Sequence, residues 1–208
     1  MFKLETNDAM TRLSEDEIRC ALSGSTIGRE IVVLQETNST SDSILERTSA
    51  ATPEGFVVFA ERQSAGRGQR SNSWESATGK GLWLSILLRP KIEIGESPRL
   101  AEWAARVVAE TISRQFAVPA TIKLPNDVHV AGKKIAGALI EMRAQANAPH
   151  IAIVGIGVNV NHSAEDFSEE LRERAISLAM TLGEQIDRQE FAIALLKNLD
   201  ASYREIFL

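Results

Sequence analysis

The chain has 208 residues, 44% of them hydrophobic and 25% charged, a balance typical of one large folded domain or two small ones. The net charge of −5 argues against a general nucleic-acid binder. The sequence contains no run of 18 apolar residues, so no membrane span is expected. The single cysteine, Cys20, excludes an intramolecular disulfide, and with no signal peptide seen a cytoplasmic location is expected.

Predicted elements alternate between β-rich runs and capped helical segments. Residues 1–12 are expected to be a mobile start, followed by a short helix that opens at the capping-box pattern of residues 14–17 and ends at Gly24. Strands are predicted at 29–37, 56–61, 81–90, 120–124 and 150–161, with a hairpin that turns at Ala131-Gly132. Helices are predicted at 41–50 and 98–115, from Ser163 to a break at Gly183, and from Asp187 onward. Adjacent hairpins with separate helices indicate the α+β class.

Residues 66–74, GRGQRSNSW, combine two glycines and two arginines before a tryptophan. Gly66 and Gly68 allow the backbone N–H groups to approach a ligand closely. Arg67 and Arg70 carry forked donors that match phosphate or carboxylate. The composition is equally compatible with a solvated surface loop that ends in a core tryptophan, so both interpretations stand at this point.

Three other stretches place polar residues where a ligand could bind. Lys133 and Lys134 enter a strand before small residues and could reach a cavity, although exposed hairpin lysines are commoner. In GIGVNVN, residues 155–161, two glycines on one strand face could form a floor for a flat ligand or a bulge packed on a helix. Ser39 and Thr40 are expected to cap a helix and could also hold a polar ligand group.

The sequence lacks the patterns of covalent and zinc chemistry. The three histidines do not combine with Cys20 at metal-ligand spacing, and neither a GxSxG elbow nor a Walker A loop occurs. We therefore predict no protein metal site and expect chemistry based on positioning and charge neutralisation.

Five segments, in order and spacing, resemble the catalytic domain of the biotin protein ligase family. They are ETNSTS (36–41), RQSAGRGQRSNSW (62–74), KLPND (123–127), KIAGALIE (134–141) and GIGVNVN (155–161). The resemblance covers about residues 27–161. It implies an α+β fold with a mixed, largely antiparallel central sheet flanked by helices, as in the biotin/lipoate protein ligase domains that are similar to class II aminoacyl-tRNA synthetases.

The resemblance also implies a reaction. Biotin and Mg²⁺-bound ATP would form biotinyl-5′-adenylate and pyrophosphate, and a lysine of a biotin carboxyl carrier protein domain would then displace AMP. Because the biotin carboxylate is itself the first nucleophile, the protein would supply cations around two anions and exclude water from the anhydride.

Residues matched to the family motifs take the roles that the resemblance implies. The biotin subsite would comprise Ser39, Thr40, Gln63, Gly66, Arg67, Lys134, Gly137, Gly155 and Gly157. The nucleotide subsite would comprise Arg70, Trp74, Asn126, Lys134 and Asn159. Three residues would be catalytic: Lys134 would hold the carboxylate and α-phosphate together, Arg67 would close over the activated acid, and Asp127 would assist metal binding or lysine deprotonation.

The chain departs from the family pattern at four motif positions that matter for ligand binding. Gln69, Ser71 and Asn72 replace the arginine, glycine and arginine of the family loop, which implies a weaker grip on the adenylate and faster release. Leu124 replaces the tryptophan of the turn, which leaves part of the pocket wall to Trp83.

The resemblance sets expectations for domain organisation and partners. We expect a single catalytic domain over residues 1–208, with residues 1–26 as an N-terminal extension, no DNA-binding domain and no evident C-terminal SH3-like domain. No DNA or membrane partner is expected, and the resemblance allows a homodimer. A lipoate or octanoate ligase and a non-catalytic biotin-binding module are the alternatives. The octanoate enzymes use a cysteine late in the fold, which this chain lacks, and lipoate ligases lack the glycine-arginine loop. Retention of Lys134 together with Arg67 and Trp74 disfavours a non-catalytic module.

Overall fold

The computed structural model describes residues 12–49, 51–145 and 149–208, and these residues form a seven-stranded sheet with packed helices. The strands are β1 (Glu30–Leu34), β2 (Phe56–Ala60), β3 (Gly81–Leu88), β4 (Ala120–Lys123), β5 (Asp127–Val130), β6 (Lys133–Arg143) and β7 (Ile151–Asn159). The α-helices are α1 (Glu15–Ala21), α2 (Thr40–Arg47), α3 (Ser97–Phe116), α4 (Glu169–Arg172), α5 (Leu178–Leu182) and α6 (Arg188–Phe207). Apart from Arg12, the start that was predicted to be mobile lies outside the described residues.

The sheet has the order β1-β2-β3-β7-β6-β5-β4. β1 is parallel to β2, whereas the other neighbouring strands are antiparallel. The predicted α+β class with a mixed, largely antiparallel sheet is therefore confirmed. The β5–β6 hairpin turns where predicted, at Ala131 and Gly132, whose φ angles of 50° and 79° belong to the left-handed region.

Helices begin where the sequence places their caps. Ser14 accepts a hydrogen bond from the backbone N–H of Glu17 at the start of α1, and Asp187 does the same for Glu190 at α6. Pro98 stands in the first turn of α3, where a missing N–H costs no helical hydrogen bond. Within the described residues, no helix is both long enough and apolar enough to cross a membrane.

Some predicted elements are longer than the observed ones. β1 ends at Leu34, and its pairing with the chain after β2 resumes at Thr37, which forms an isolated parallel bridge with Gln63 in the same register. The helical segment predicted from Ser163 is broken into short pieces, because Ala175 pairs with Lys134 at the start of β6 in another isolated bridge.

The two faces of the sheet bury different amounts of apolar surface. The larger core lies between the sheet and α1, α3 and α6, and it includes Ile18 of the expected N-terminal extension. The other face carries a small cluster around Ile44 of α2. On this second face, the strand positions nearest the start of α2 are Ser85 and Gly155, because an added Cβ at Gly155 would touch Ser41 and Ser85. Small side chains there leave room for a cleft.

Candidate active site

Two adjoining cavities open on the α2 side of the sheet, beneath the loop that joins β2 to β3 (residues 61–80, here called the β2–β3 loop). The smaller cavity has a volume of about 50 Å³ and the larger about 470 Å³. Trp74 and Lys134 line both, so they form the boundary between them. Arg67 lines the smaller cavity, so the glycine-arginine loop and Lys134 meet in one site although they are distant in sequence.

Most residues assigned to biotin by the resemblance line the smaller cavity. They are Ser39, Thr40, Gln63, Arg67, Lys134, Gly137, Gly155 and Gly157. Gly66 is not among the lining residues; a Cβ there would lie 2.6 Å from the carbonyl oxygen of Trp74, so the position needs glycine for the loop to close on itself. Of the residues assigned to the nucleotide, Trp74, Lys134 and Asn159 line the larger cavity, together with Asp127.

A hydrogen-bonded polar cluster lies at the smaller cavity: Thr40, Ser41 and Gln63 line it, and the fully buried Ser85 bonds to the cluster without lining the cavity. The backbone N–H of Thr40 donates to Gln63 Oε1 at 2.8 Å, and Thr40 Oγ1 lies 2.8 Å from Ser85 Oγ. Ser41 Oγ lies 3.1 Å from the same Ser85 oxygen. Hydroxyl and amide groups can both donate and accept, so this cluster suits a small group that carries N–H and C=O together. Ser85 was missed from the sequence, although a serine inside the apolar run GLWLSILL is a detectable signal.

Trp74 lies on the glycine floor that was predicted for a flat ligand. A Cβ on Gly157 would come within 2.6 Å of the indole ring, and one on Gly137 within 3.1 Å. The indole Nε1 is buried and has no hydrogen-bond partner in the described chain. The glycines thus allow an aromatic ring to approach the sheet backbone, and Trp74 separates the two cavities from this position.

The ammonium of Lys134 stands at the boundary and is held from two sides. It lies 2.7 Å from Asp127 Oδ1 and 5.2 Å from the centre of the Trp74 ring. Its side chain is one-third exposed, so solvent or a ligand can reach it. A single cation there can contact anions in both cavities.

Arg67 is bound to carboxylates rather than free. Its two terminal nitrogens donate to the two oxygens of Asp42 at 2.7 and 2.8 Å, and Nη2 also lies 3.3 Å from Glu141. The hydrogen bond from Arg67 holds the pKa of Asp42 below its usual value, and the same bond raises the pKa of Arg67. Arg62, at the beginning of the loop, is similarly paired with Glu36 at 3.1 Å.

Arg70 and Asn126 were assigned to the nucleotide subsite, and neither lines the larger cavity. Arg70 is exposed, has a left-handed φ of 56° and lines neither cavity. Asn126 lines the smaller cavity instead of the larger one, and its amide donates to the carbonyl of Ala138 at 2.8 Å. Asn159 donates to the carbonyl of Ile176 at 3.1 Å. Both asparagines therefore fix backbone segments around the site.

A wall of the larger cavity comes from a segment that sequence reasoning did not assign to the site. Phe167, Ser168, Glu170, Leu171, Arg174 and Ala175 line it. The backbone N–H of Lys134 donates to the carbonyl of Arg174 at 2.7 Å, which brings this segment beside the start of β6. Lys123 and His129 from β4 and β5 line the same cavity and were also missed. No local motif marks the segment, since it reaches the site through tertiary pairing.

Trp83 supports the site from below and does not form its wall. It is buried (1% exposed) and lines neither cavity, whereas Leu124 is 67% exposed. The expected replacement of a turn tryptophan by Trp83 is therefore wrong. Trp83 packs edge-on against Trp74 and against His162, with ring centres 6.1 and 5.6 Å apart.

In the part of the chain that the structure describes, no group of three or more His, Cys, Asp or Glu side chains is arranged to hold a metal ion. Asp127 lines the larger cavity, as do Glu75 and Glu170, and it is already paired with Lys134. Mg²⁺ commonly binds through one or two carboxylates together with substrate phosphates, so this donor set fits a magnesium ion that arrives with a nucleotide.

Comparison with known proteins agrees with this geometry. Residues 33–159 match the Biotin/lipoate A/B protein ligase family. The bifunctional ligase/repressor BirA of Bacillus spizizenii is 38% identical over 194 residues, which are 93% of this chain and 60% of that protein. The biotin–[acetyl-CoA-carboxylase] ligase of Mycobacterium tuberculosis is 32% identical over 91% of this chain and 70% of its own length. The chain thus spans about 60% of the length of the first of these relatives.

A solved structure has the same fold. The biotin protein ligase from Aquifex aeolicus in complex with biotin and ATP superposes with a TM-score of 0.73 at 30% identity, over 86% of this chain and 72% of that one. The segment that matches the family model, residues 33–159, contains the residues at the centre of both cavities, from Ser39 to Asn159. With the sheet, the glycine-arginine loop and the matched sequence in agreement, the chain belongs to the biotin/lipoate A/B protein ligase family.

Proposed function

We propose that this chain activates biotin with ATP as biotinyl-5′-adenylate and transfers the biotinyl group to a lysine of a biotin carboxyl carrier protein domain. The observation that carries the proposal is the position of Lys134, whose ammonium lines both cavities. Relatives named as biotin ligases, and a similar structure that contains biotin and ATP, support the same assignment.

The smaller cavity suits biotin. Its ureido group carries N–H and C=O groups that match the lining side chains of Thr40 and Gln63, and Ser85 bonds to Thr40 from the core. The bicyclic ring would lie along Gly155 and Gly157, the floor that the Trp74 indole now covers at Gly157. Biotin needs more than the present 50 Å³, because ligand cavities usually measure about 300–1,000 Å³, so Trp74 would move off the glycine floor.

The larger cavity suits ATP as the magnesium complex. Trp74 offers an aromatic face for adenine, while Lys123, His129 and Arg174 line the cavity with groups that match phosphates. Mg²⁺ entering with the nucleotide would neutralise part of the phosphate charge, and Asp127, one of the carboxylates that line this cavity with Glu75 and Glu170, would suit it as a hard oxygen ligand.

The chemistry requires two anions to meet. A biotin carboxylate oxygen would attack the α-phosphorus, an O–P bond would form, and the bond to the β-phosphate oxygen would break to release pyrophosphate. Lys134 between the cavities would offset the repulsion and the developing charge. In the second step an acceptor lysine amine would attack the biotinyl carbonyl carbon, a C–N bond would form, and AMP would leave. Asp127, whose carboxylate lies 2.7 Å from the Lys134 ammonium, would take the proton of the acceptor amine.

Pyrophosphate release from biotin and Mg·ATP tests the first step, and transfer of labelled biotin to a carrier domain tests the second. Lys134→Ala should lower pyrophosphate release by at least about 100-fold, since a preorganised charge at the reacting centre is lost. Lys133→Ala is the matched control, because the adjacent ammonium bonds to the carbonyl of Arg172 outside the smaller cavity, and its activity should be close to wild type.

Two results would contradict the proposal. A wild-type chain that releases pyrophosphate with lipoate or octanoate but not with biotin would reassign the substrate. Thermal stabilisation by biotin with no further stabilisation on adding Mg·ATP would indicate a binding module, because formation of a tightly held adenylate should raise the melting temperature further.

A further inference from the structure

The guanidinium of Arg67 joins two separate elements at the smaller cavity. It makes a bidentate pair with Asp42 on α2, at 2.7 and 2.8 Å, and a third contact with Glu141 on β6, at 3.3 Å. Residues of both elements, such as Ser41 and Gly137, line the cavity. The side chain therefore reaches from the tip of the β2–β3 loop to both elements that hold the pocket.

The tip itself, residues 66–73, is bonded mainly to itself. The N–H of Trp74 donates to the carbonyl of Gly66 at 2.9 Å, and the N–H of Gly68 donates to the carbonyl of Asn72 at 2.7 Å. Hydrogen bonds to the chain before α2 come from residues 64 and 65, ahead of the tip. In the described structure it is Arg67 that ties the tip to α2 and β6.

The contacts of Arg67 argue against it as a receptor for a free anion. Its guanidinium already faces the carboxylates of Asp42 and Glu141, and Arg143 adds a second positive charge that acts on Asp42. A ligand anion would compete with Asp42 for parallel N–H···O bonds, the strongest geometry that this type of pair adopts. The side chain is thus engaged by the protein, while Gly68 and Gln69 of the tip line the cavity.

We propose that Asp42, with help from Glu141, is a positioning residue that straps the tip of the β2–β3 loop over the smaller cavity through Arg67. Asp42 does not line either cavity, so it acts through Arg67 and not on the ligand. The identity of the retained ligand, biotin and then its adenylate, rests on the proposed function. The strap itself is a property of the unliganded chain.

Hydrogen exchange of the peptide that covers residues 66–74 tests the strap without a ligand. Asp42→Asn keeps the size of the side chain and removes its charge, and it should speed exchange of this segment about fivefold, as expected when an exposed ion pair is lost. Asp42→Glu keeps a carboxylate and should restore most of the protection. Glu36→Gln is the matched control, since it breaks the exposed Arg62 pair ahead of the tip and should leave residues 66–74 unchanged.

Unchanged exchange of residues 66–74 in Asp42→Asn would overturn the inference. Exchange in α3 reports global unfolding, and Glu141→Gln provides a second variant in case Asp42→Asn weakens the whole fold. Faster exchange restricted to residues 66–74 in either variant would support the strap.

Ligand kinetics give a second, separable readout. Asp42→Asn should release biotinyl-adenylate about fivefold faster and raise KM for biotin by a similar factor, while the single-turnover rate of adenylate formation at saturating substrate stays within about twofold. Equal release rates in Asp42→Asn and wild type would contradict the inference. A wild-type chain that makes no adenylate would instead overturn the proposed function and leave the exchange result standing.

Discussion

The base and the tip of the β2–β3 loop are both held by arginine–carboxylate pairs, but the two pairs differ in burial. At the base, Arg188 lies 2.8 Å from Glu61, with side chains 1% and 7% exposed. The same guanidinium donates to the carbonyl of Gly81, where β3 begins. At the tip, the Arg67 and Asp42 side chains are 37% and 42% exposed. The buried pair joins the two ends of the loop, and the exposed pair holds its middle.

We expect this difference in burial to separate folding from retention of the proposed ligand. Breaking a buried pair leaves an uncompensated charge in the core, whereas an exposed pair contributes little to stability because water can replace the lost partner. The base should therefore control whether the loop is built at all. The tip should control how long the loop stays closed.

The largest effect is expected at the base. Arg188→Met should lower the free energy of unfolding by about 3–5 kcal/mol, since Glu61 would lose its ion-pair partner in the core. Urea unfolding measures this change. Arg62→Met, which breaks the exposed pair with Glu36, is the control and should cost less than about 1 kcal/mol. Equal losses in the two variants would remove the distinction between buried and exposed anchors.

His162, which packs against Trp83 and Phe167, should make the stability of the fold depend on pH. His162 is 2% exposed, stacks on Phe167 and packs against Trp83, and burial lowers its pKa from 6.5 to about 4. Between these values the unfolded chain binds a proton that the folded chain does not, so stability falls as pH drops. His162→Phe removes the titration and keeps the stacking.

Urea unfolding at about pH 7.5 and about pH 5 measures the contribution of His162. Over this interval the wild type should lose about 2 kcal/mol more than His162→Phe, as a shift of this size predicts. Identical losses would show that His162 takes up no proton on unfolding, and would refute its buried neutral state.

The smallest effect is expected at the tip of the β2–β3 loop, where a substitution should change the rate of ligand release and leave the stability of the fold unchanged. Gln69 lines the smaller cavity at the position where the resembling family has arginine. Gln69→Arg should slow adenylate release about tenfold, since one charge-assisted hydrogen bond contributes about 1.5 kcal/mol. Gln69→Lys adds the charge without the fork and should slow release less. Release as fast as in wild type would show that Gln69 does not weaken the grip on the intermediate.

Local signals in the sequence predicted much of the fold. Apolar runs placed the strands, and the caps at Ser14 and Asp187 placed two helix starts, because both depend on neighbours a few residues away. Element ends were less accurate. The bridge of Lys134 to Ala175 interrupts a predicted helical segment, and such a pairing depends on distant residues.

The candidate site was predictable to the extent that it lies in motifs. Lys134, Arg67 and the strand glycines were assigned from order and spacing, and the structure brings them together at one cleft. Residues outside motifs were missed, including Ser85 within an apolar strand and the cavity wall from Phe167 to Ala175.

By itself the sequence determined the class of fold, the order of its elements and the residue types of the candidate site, because propensity, caps and motif spacing act locally. Only the tertiary structure decided how the charges are paired. It joined Arg67 to Asp42 and Glu141, Lys134 to Asp127, and Arg188 to Glu61 across large sequence separations. Electrostatic pairing depends on distance and burial in three dimensions, and neither follows from the spacing of residues along the chain.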